Sequence, residues 1–399
     1  MFVYDQAMAS RPNSDPFKAA LAVARSEEAR LIRDCVHRDQ VVGVFGEAEV
    51  GKTQTIRQAL AGSAIRVLRL DLHWAASETH VGFLLACEMA RALAPGLAPT
   101  CLAHGGRLPA AVEQARSRLV ETLGGGLQES LRRWPSGRYE WPVALESLEA
   151  LVQTQEALLW IDHLEAPRLS FRHPLKLSPL LWSISELVER APGLRVLLSG
   201  REAARVDLDG PRAAFSGSGR WLSLQAPSAD AWRRVAKLVD ARGDLVAELA
   251  DLTAGHPRTM LLALVSIADQ QAPPPAQQVL LALAERDDGL EARAMEHARS
   301  LHRLGGQALT QAALGQRPYA TAQRGATTTQ ELSKALKRLR LAGLLRHEDS
   351  WRVVNPLLAM RLRAASPPES PTSVRPPWSW RPGIADGLSA PTAQKPPSS

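Results

Sequence analysis

The chain has 399 residues, 45% of them hydrophobic and 22% charged, with a net charge of +7. It is too long for one small core and too apolar for a disordered chain, and no run of about 18 apolar residues exists to span a membrane. Cys35, Cys87 and Cys101 are too scattered for a disulfide framework or a zinc cluster and fit a reducing, cytoplasmic setting.

Residues 1–16 read as a loose arm without the basic and apolar segments of a secretory signal. Leu21, Ala24, Ala29, Leu31 and Ile32 then fall at helical spacing and predict a helix from Phe17 to His37. The unbroken apolar run VVGVF at 41–45 predicts a strand covered on both faces, as in a parallel sheet. A helix from Thr53 to Ala61, a strand at 64–72 and a helix at 80–94, stopped by Pro95-Gly96, follow in turn. Residues 97–142 read as an insertion, after which a helix from Pro142 to Thr154 leads into the strand ALLWID at 157–162. Further strands are expected at 194–202 and 220–228. This alternation predicts a three-layer α/β domain with a parallel sheet over residues 17–228. Residues 229–303 are wholly helical in pattern, residues 304–365 form a separate basic unit, and the Pro- and Ser-rich 366–399 read as a disordered tail.

The chemistry starts where the first strand ends. In GEAEVGKT, Gly46, Gly51, Lys52 and Thr53 match the G-x-x-x-x-G-K-[ST] phosphate loop. A strand, such a loop and a helix together aim backbone N–H groups at a polyphosphate, so Gly46, Glu47, Ala48, Glu49, Val50, Gly51, Lys52, Thr53 and Gln54 are the expected nucleotide ligands. Lys52 would reach the terminal phosphates, and Thr53 with Asp162, which closes the apolar run ALLWID, would hold Mg²⁺. A further acid, Glu165, lies three positions beyond Asp162, with a solvated loop acid as its plain reading. His163, between the two acids, is read as structural. Ser199 and Arg201 close the strand LLSGRE, where they can meet a terminal phosphate. In AGHPRTM, Pro257 can pack on a base and Arg258 can approach the phosphates, against a simple turn between helices.

The basic unit carries ten Lys or Arg and three acids between residues 317 and 363. Two helices at 307–315 and 318–325, a third at 328–341 and two short strands about the turn HEDS predict a winged helix-turn-helix. On the third helix Leu332, Ala335, Leu336 and Leu339 make one buried face, leaving Lys334, Lys337, Arg338 and Arg340 largely off it. Those four are candidate phosphate contacts on duplex DNA, with internal or protein packing as the rival reading.

The ordered series ARSEEARLIRDCV, GEAEVGKT, LLWIDHLE, LLSGRE and GHPR, followed by a winged helix, resembles signal-transducing P-loop ATPases of the STAND class and related AAA+ ATPases. That resemblance covers roughly residues 20–363. It implies an additional-strand P-loop sheet, a helical lid and a winged helix that carry nucleotide state to a protein partner or a second copy. It also implies ATP rather than GTP, with slow conversion of ATP and water to ADP and phosphate. His163 stands where hydrolytic members of the class usually have Glu, and the resemblance makes Glu165, at a distance where some signalling members place a functional acid, the expected base for the attacking water. An ATP-dependent DNA-binding assembly or transcription factor, and a scaffold with an inactive nucleotide site, are the competing readings.

Overall fold

The structure is a computed structural model, and it describes residues 14–93, 141–169, 175–205, 213–316 and 328–365, save scattered positions within those spans. The insertion, the second helix of the basic unit and the tail lie largely or wholly outside the described residues.

The expected first helix is two, α1 (Ser14–Ala24) and α2 (Ser26–Arg38), meeting at Arg25. The break has a visible cause. Arg25 is 1% exposed, and its guanidinium donates to the Val50 carbonyl at 2.7 Å and to Glu28 at 2.8 Å. Arg25 and Glu28, in the ARSEEARLIRDCV stretch of the resemblance, therefore buttress the phosphate loop from behind.

The strands β1 (Val41–Phe45), β2 (Arg66–Asp71), β3 (Ala157–Asp162), β4 (Leu194–Gly200) and β5 (Arg220–Ser223) form one sheet in the order β2-β3-β4-β1-β5. All four pairings are parallel. β4 thus lies between the phosphate-loop strand and the strand that ends in Asp162, the additional-strand arrangement expected. Alternate residues face opposite layers. Leu68, Leu70, Leu159, Ile161, Val196 and Leu198 pack under α4 (Glu78–Leu93), α5 (Trp141–Val152) and α6 (Leu177–Arg190). Val42, Val44, Leu158, Trp160 and Leu197 pack on the other face, against α2 and α3 (Lys52–Leu60). Both faces are covered, which is why β1 and β3 up to Asp162 read as continuous apolar runs and β4 is broken only by Arg195 and Ser199.

Beyond the sheet come α7 (Ala229–Leu238), α8 (Gly243–Thr253), α9 (Pro257–Ile267), α10 (Ala276–Arg286) and α11 (Leu290–Leu301). The C-terminal unit contributes α12 (Gly305–Ala313), α13 (Thr329–Leu341), the antiparallel wing β6 (Leu345–His347) and β7 (Trp351–Val353), and α14 (Pro356–Ala364). Thr328 caps α13 by accepting from the Glu331 N–H at 3.2 Å, and Asn355 caps α14 through Leu358 N–H at 3.2 Å. One hydrophobic core joins the helices from α7 onward, the wing, and Ala20 and Ala24 of α1.

Candidate nucleotide site

The phosphate loop turns sharply between β1 and α3. A Cβ on Gly46 would stand 2.3 Å from the Leu224 carbonyl oxygen, so only glycine lets the chain leave the sheet there. Glu49 and Gly51 both take left-handed backbone, with φ of 59° and 91°. Lys52 folds back into the loop, donating to the carbonyls of Gly46 at 2.9 Å and Glu47 at 2.8 Å. Burial lowers its pKa to about 8, against the opposing pull of Glu165, so the ammonium is largely charged at neutral pH.

Thr53 and Asp162 meet across 109 residues of sequence: the Thr53 hydroxyl donates to Asp162 Oδ2 at 3.1 Å. A hydroxyl and a carboxylate are oxygen donors of the kind Mg²⁺ takes, but here the carboxylate is already occupied by donors of the chain itself. Asp162 is 1% exposed and thoroughly engaged. Its Oδ1 accepts from Ser199 Oγ at 2.6 Å and from the His163 N–H at 3.0 Å, and its Oδ2 also accepts from Arg69 Nη2 at 2.7 Å. Ser199 has no exposed surface and accepts from Trp160 Nε1 at 2.8 Å. It stands beneath the acid rather than facing an incoming ligand.

Glu165 is buried and bound at both oxygens by Arg201: the backbone N–H reaches Oε2 at 3.0 Å and Nε reaches Oε1 at 3.2 Å. Arg201 Nη1 in turn donates to the Leu341 carbonyl at the end of α13. Burial lowers the Arg201 pKa, with Glu165 opposing. Glu49 faces three groups from two other elements: Arg258 Nη1 at 3.0 Å, Asn355 Nδ2 at 3.3 Å and His256 Nε2 at 3.4 Å. Burial raises the Glu47 pKa, with Arg340, Lys52, Arg346 and Arg201 opposing. Gly343 seals the contact. Its φ is +67°, and a Cβ there would lie 2.5 Å from Ala48 Cβ and 2.8 Å from Arg201 Cζ. The C-terminal unit is therefore seated directly on the phosphate loop.

The expected residues are thus gathered around one loop, with two exceptions of role besides Ser199. Pro257 is the buried first residue of α9, and Gln54 is half-buried in the first turn of α3. The four candidate DNA contacts are differently disposed. Lys334 bonds Glu331 at 3.2 Å, Arg338 bonds the Leu301 carbonyl at 2.8 Å, Arg340 lies in the field of Glu47, and Lys337 is exposed.

Two residues absent from the sequence reading belong to the site. Arg69 and Asp71 project from the same face of β2, and Asp71 lies in register with Asp162. Arg69 Nη2 bonds Asp71 Oδ2 at 3.0 Å, and His163 Nδ1 bonds Asp71 Oδ1 at 2.8 Å. Burial works against charge on both partners. The hydrogen bond and the mutual attraction outweigh it, lowering the Asp71 pKa and raising that of His163. The alternation in RVLRLD carried this signal, since Val67, Arg69 and Asp71 share a parity.

The comparisons with known proteins agree with this geometry. The structure superposes on the Walker-type ATPase PABY2304 of Pyrococcus abyssi with a TM-score of 0.60 at 16% identity, covering 85% of this chain and 95% of that one. That likeness shows the fold, a three-layer α/β P-loop architecture with a parallel sheet. Orc1 of Aeropyrum pernix, solved in complex with DNA, aligns with a TM-score of 0.43 at 16% identity over 85% of this chain and 91% of its own. A STAND protein of Pyrococcus horikoshii with a tetratricopeptide repeat sensor gives 0.36 at 14%, over 86% of this chain and 42% of its own. The last two scores are too low to carry an argument about this chain. No protein-family model and no curated protein matches it. Among the described residues no helix of this P-loop fold is long and apolar enough to cross a membrane.

Proposed function

We propose that the chain is an ATP-binding, slowly hydrolysing switch whose lid and C-terminal unit report the state of the phosphate loop to a partner. One observation carries the reading. The loop's own Glu49 is held at once by Arg258 of the helical region and Asn355 of the C-terminal unit, at 3.0 and 3.3 Å. A polyphosphate entering the loop brings negative charge beside Glu49 and draws Lys52 off the loop carbonyls. Both changes act on the contacts that tie the three regions together. Slow turnover fits the same arrangement, because Glu165, the expected base, is bound at both oxygens by Arg201 while Arg201 is held by Leu341.

Lys52 and Thr53 would be the loop's side-chain ligands to nucleotide, and any Mg²⁺ on Thr53 and Asp162 would enter beside Arg69, which already bonds that carboxylate at 2.7 Å. When bound, the ion would supply charge opposite the phosphates. Duplex DNA is the rival partner, through Lys334, Lys337, Arg338 and Arg340. The bond of Arg338 to the Leu301 carbonyl weighs against it. The test is equilibrium binding of a fluorescent ATP analogue. Wild type should bind in the micromolar range, about −8 kcal/mol, and Lys52→Ala should lose at least about tenfold. Equal binding by the two proteins sinks the reading.

A further inference from the structure

The crowding of Asp162 has a chemical consequence, and it rests on the reading that the loop binds nucleotide. A carboxylate offers about four lone-pair positions. Asp162 fills them from within the chain: Ser199 and the His163 N–H on Oδ1, Thr53 and Arg69 on Oδ2. Arg69 is the only full charge among these donors. Its guanidinium also bonds Asp71 at 3.0 Å, and its Cζ lies 4.8 Å from the Trp160 ring centroid. Trp160 is itself fixed by its bond to Ser199 at 2.8 Å. The cation is thus clamped from three sides on the oxygen that also meets the Thr53 hydroxyl. Arg57 of α3 adds a second charge, close enough for Arg69 and the two aspartates to act on its pKa. The acid pair already faces two arginines. A divalent ion would have to displace a bidentate-capable, permanently charged group and then sit beside it.

We propose that Arg69 is the resident cation of the nucleotide site, supplying at Asp162 the positive charge that Mg²⁺ provides in other phosphate-loop proteins, so that this chain binds nucleotide with little need of a divalent ion. Arg69 acts here as a positioning residue. It holds Asp162 and Asp71 in register and leaves the polyphosphate facing a charge-balanced floor.

The experiment is titration of the full chain with the fluorescent analogue mant-ATP, in excess magnesium chloride and in excess EDTA. Wild-type dissociation constants in the two buffers should agree within about threefold, under 1 kcal/mol. Arg69→Gln should bind at least about tenfold more weakly in EDTA and recover most of that loss in magnesium. Arg69→Lys, which keeps the charge without the planar fork, should fall between. Wild-type binding that collapses on adding EDTA overturns the proposal while leaving nucleotide binding intact. So does an Arg69→Gln protein, folded by its melting curve, with no greater metal dependence than wild type. Absence of wild-type binding in both buffers defeats the nucleotide reading itself, and this inference with it.

Discussion

His256 shows how much a single buried ring can decide. It caps α9 from its Nδ1, and burial lowers its pKa to about 4, with Glu49 opposing and Arg258 and Arg346 assisting. Its Nε2 stands 3.4 Å from Glu49, but a ring titrating that low is neutral at pH 7, so the contact is not an ion pair. The folded-state value lies below the unfolded one. Between about pH 4 and 6.5 the unfolded chain therefore holds more protons, and stability rises with pH across that window. The full effect is on the order of 3 kcal/mol. His256→Gln should flatten the dependence of the urea midpoint on pH over that range. A slope unchanged from wild type would show that His256 is not its source. His163 belongs to the same scale. Its φ of 61° places it in the left-handed region, where histidine is better tolerated than most residues, and its ring then reaches Asp71.

Among the elements, α13 and the turn after it do the work of contact. Gly343→Ala is expected to loosen the C-terminal unit, since the added Cβ meets Ala48 and Arg201 and the backbone stays left-handed. Limited proteolysis should cut the variant faster than wild type at unchanged circular dichroism, and an unchanged cleavage rate would count against docking through this turn. The elements themselves were largely legible. VVGVF is apolar throughout, and ALLWID and LRVLLSG are largely so, because both faces of the sheet are covered, and the spacing of Gly46, Gly51, Lys52 and Thr53 marks its own loop. What could not be read was register. Nothing local pairs Asp71 with Asp162, so Arg69 and Asp71 looked like ordinary polar residues of a strand. The break at Arg25 was hidden for the same reason, because its partner Val50 lies 25 residues away. Nor does the charge count between 317 and 363 reveal that Arg338 bonds the Leu301 carbonyl while Lys334 makes an exposed surface pair with Glu331.

For the molecule as a whole, the helical region and the C-terminal unit share a single hydrophobic core that also takes in α1. Trp232 lies at 0% exposure within it, its indole donating to the Gly255 carbonyl at 3.2 Å. Trp232→Ala should cost about 3–5 kcal/mol. Because that core is continuous, the loss should appear in one cooperative step shared by these regions, by fluorescence and circular dichroism alike. Separate transitions would mean that the two regions fold as independent units. Glu49, finally, sets a constraint on how this chain can change over time. Its left-handed backbone costs of order 1–3 kcal/mol that a glycine would remove. Yet glycine would also delete the carboxylate that Arg258 and Asn355 grip. The substitution that relaxes the loop is therefore the one that releases α9 and the C-terminal unit from it, so backbone strain and side-chain contact pull this position in opposite directions.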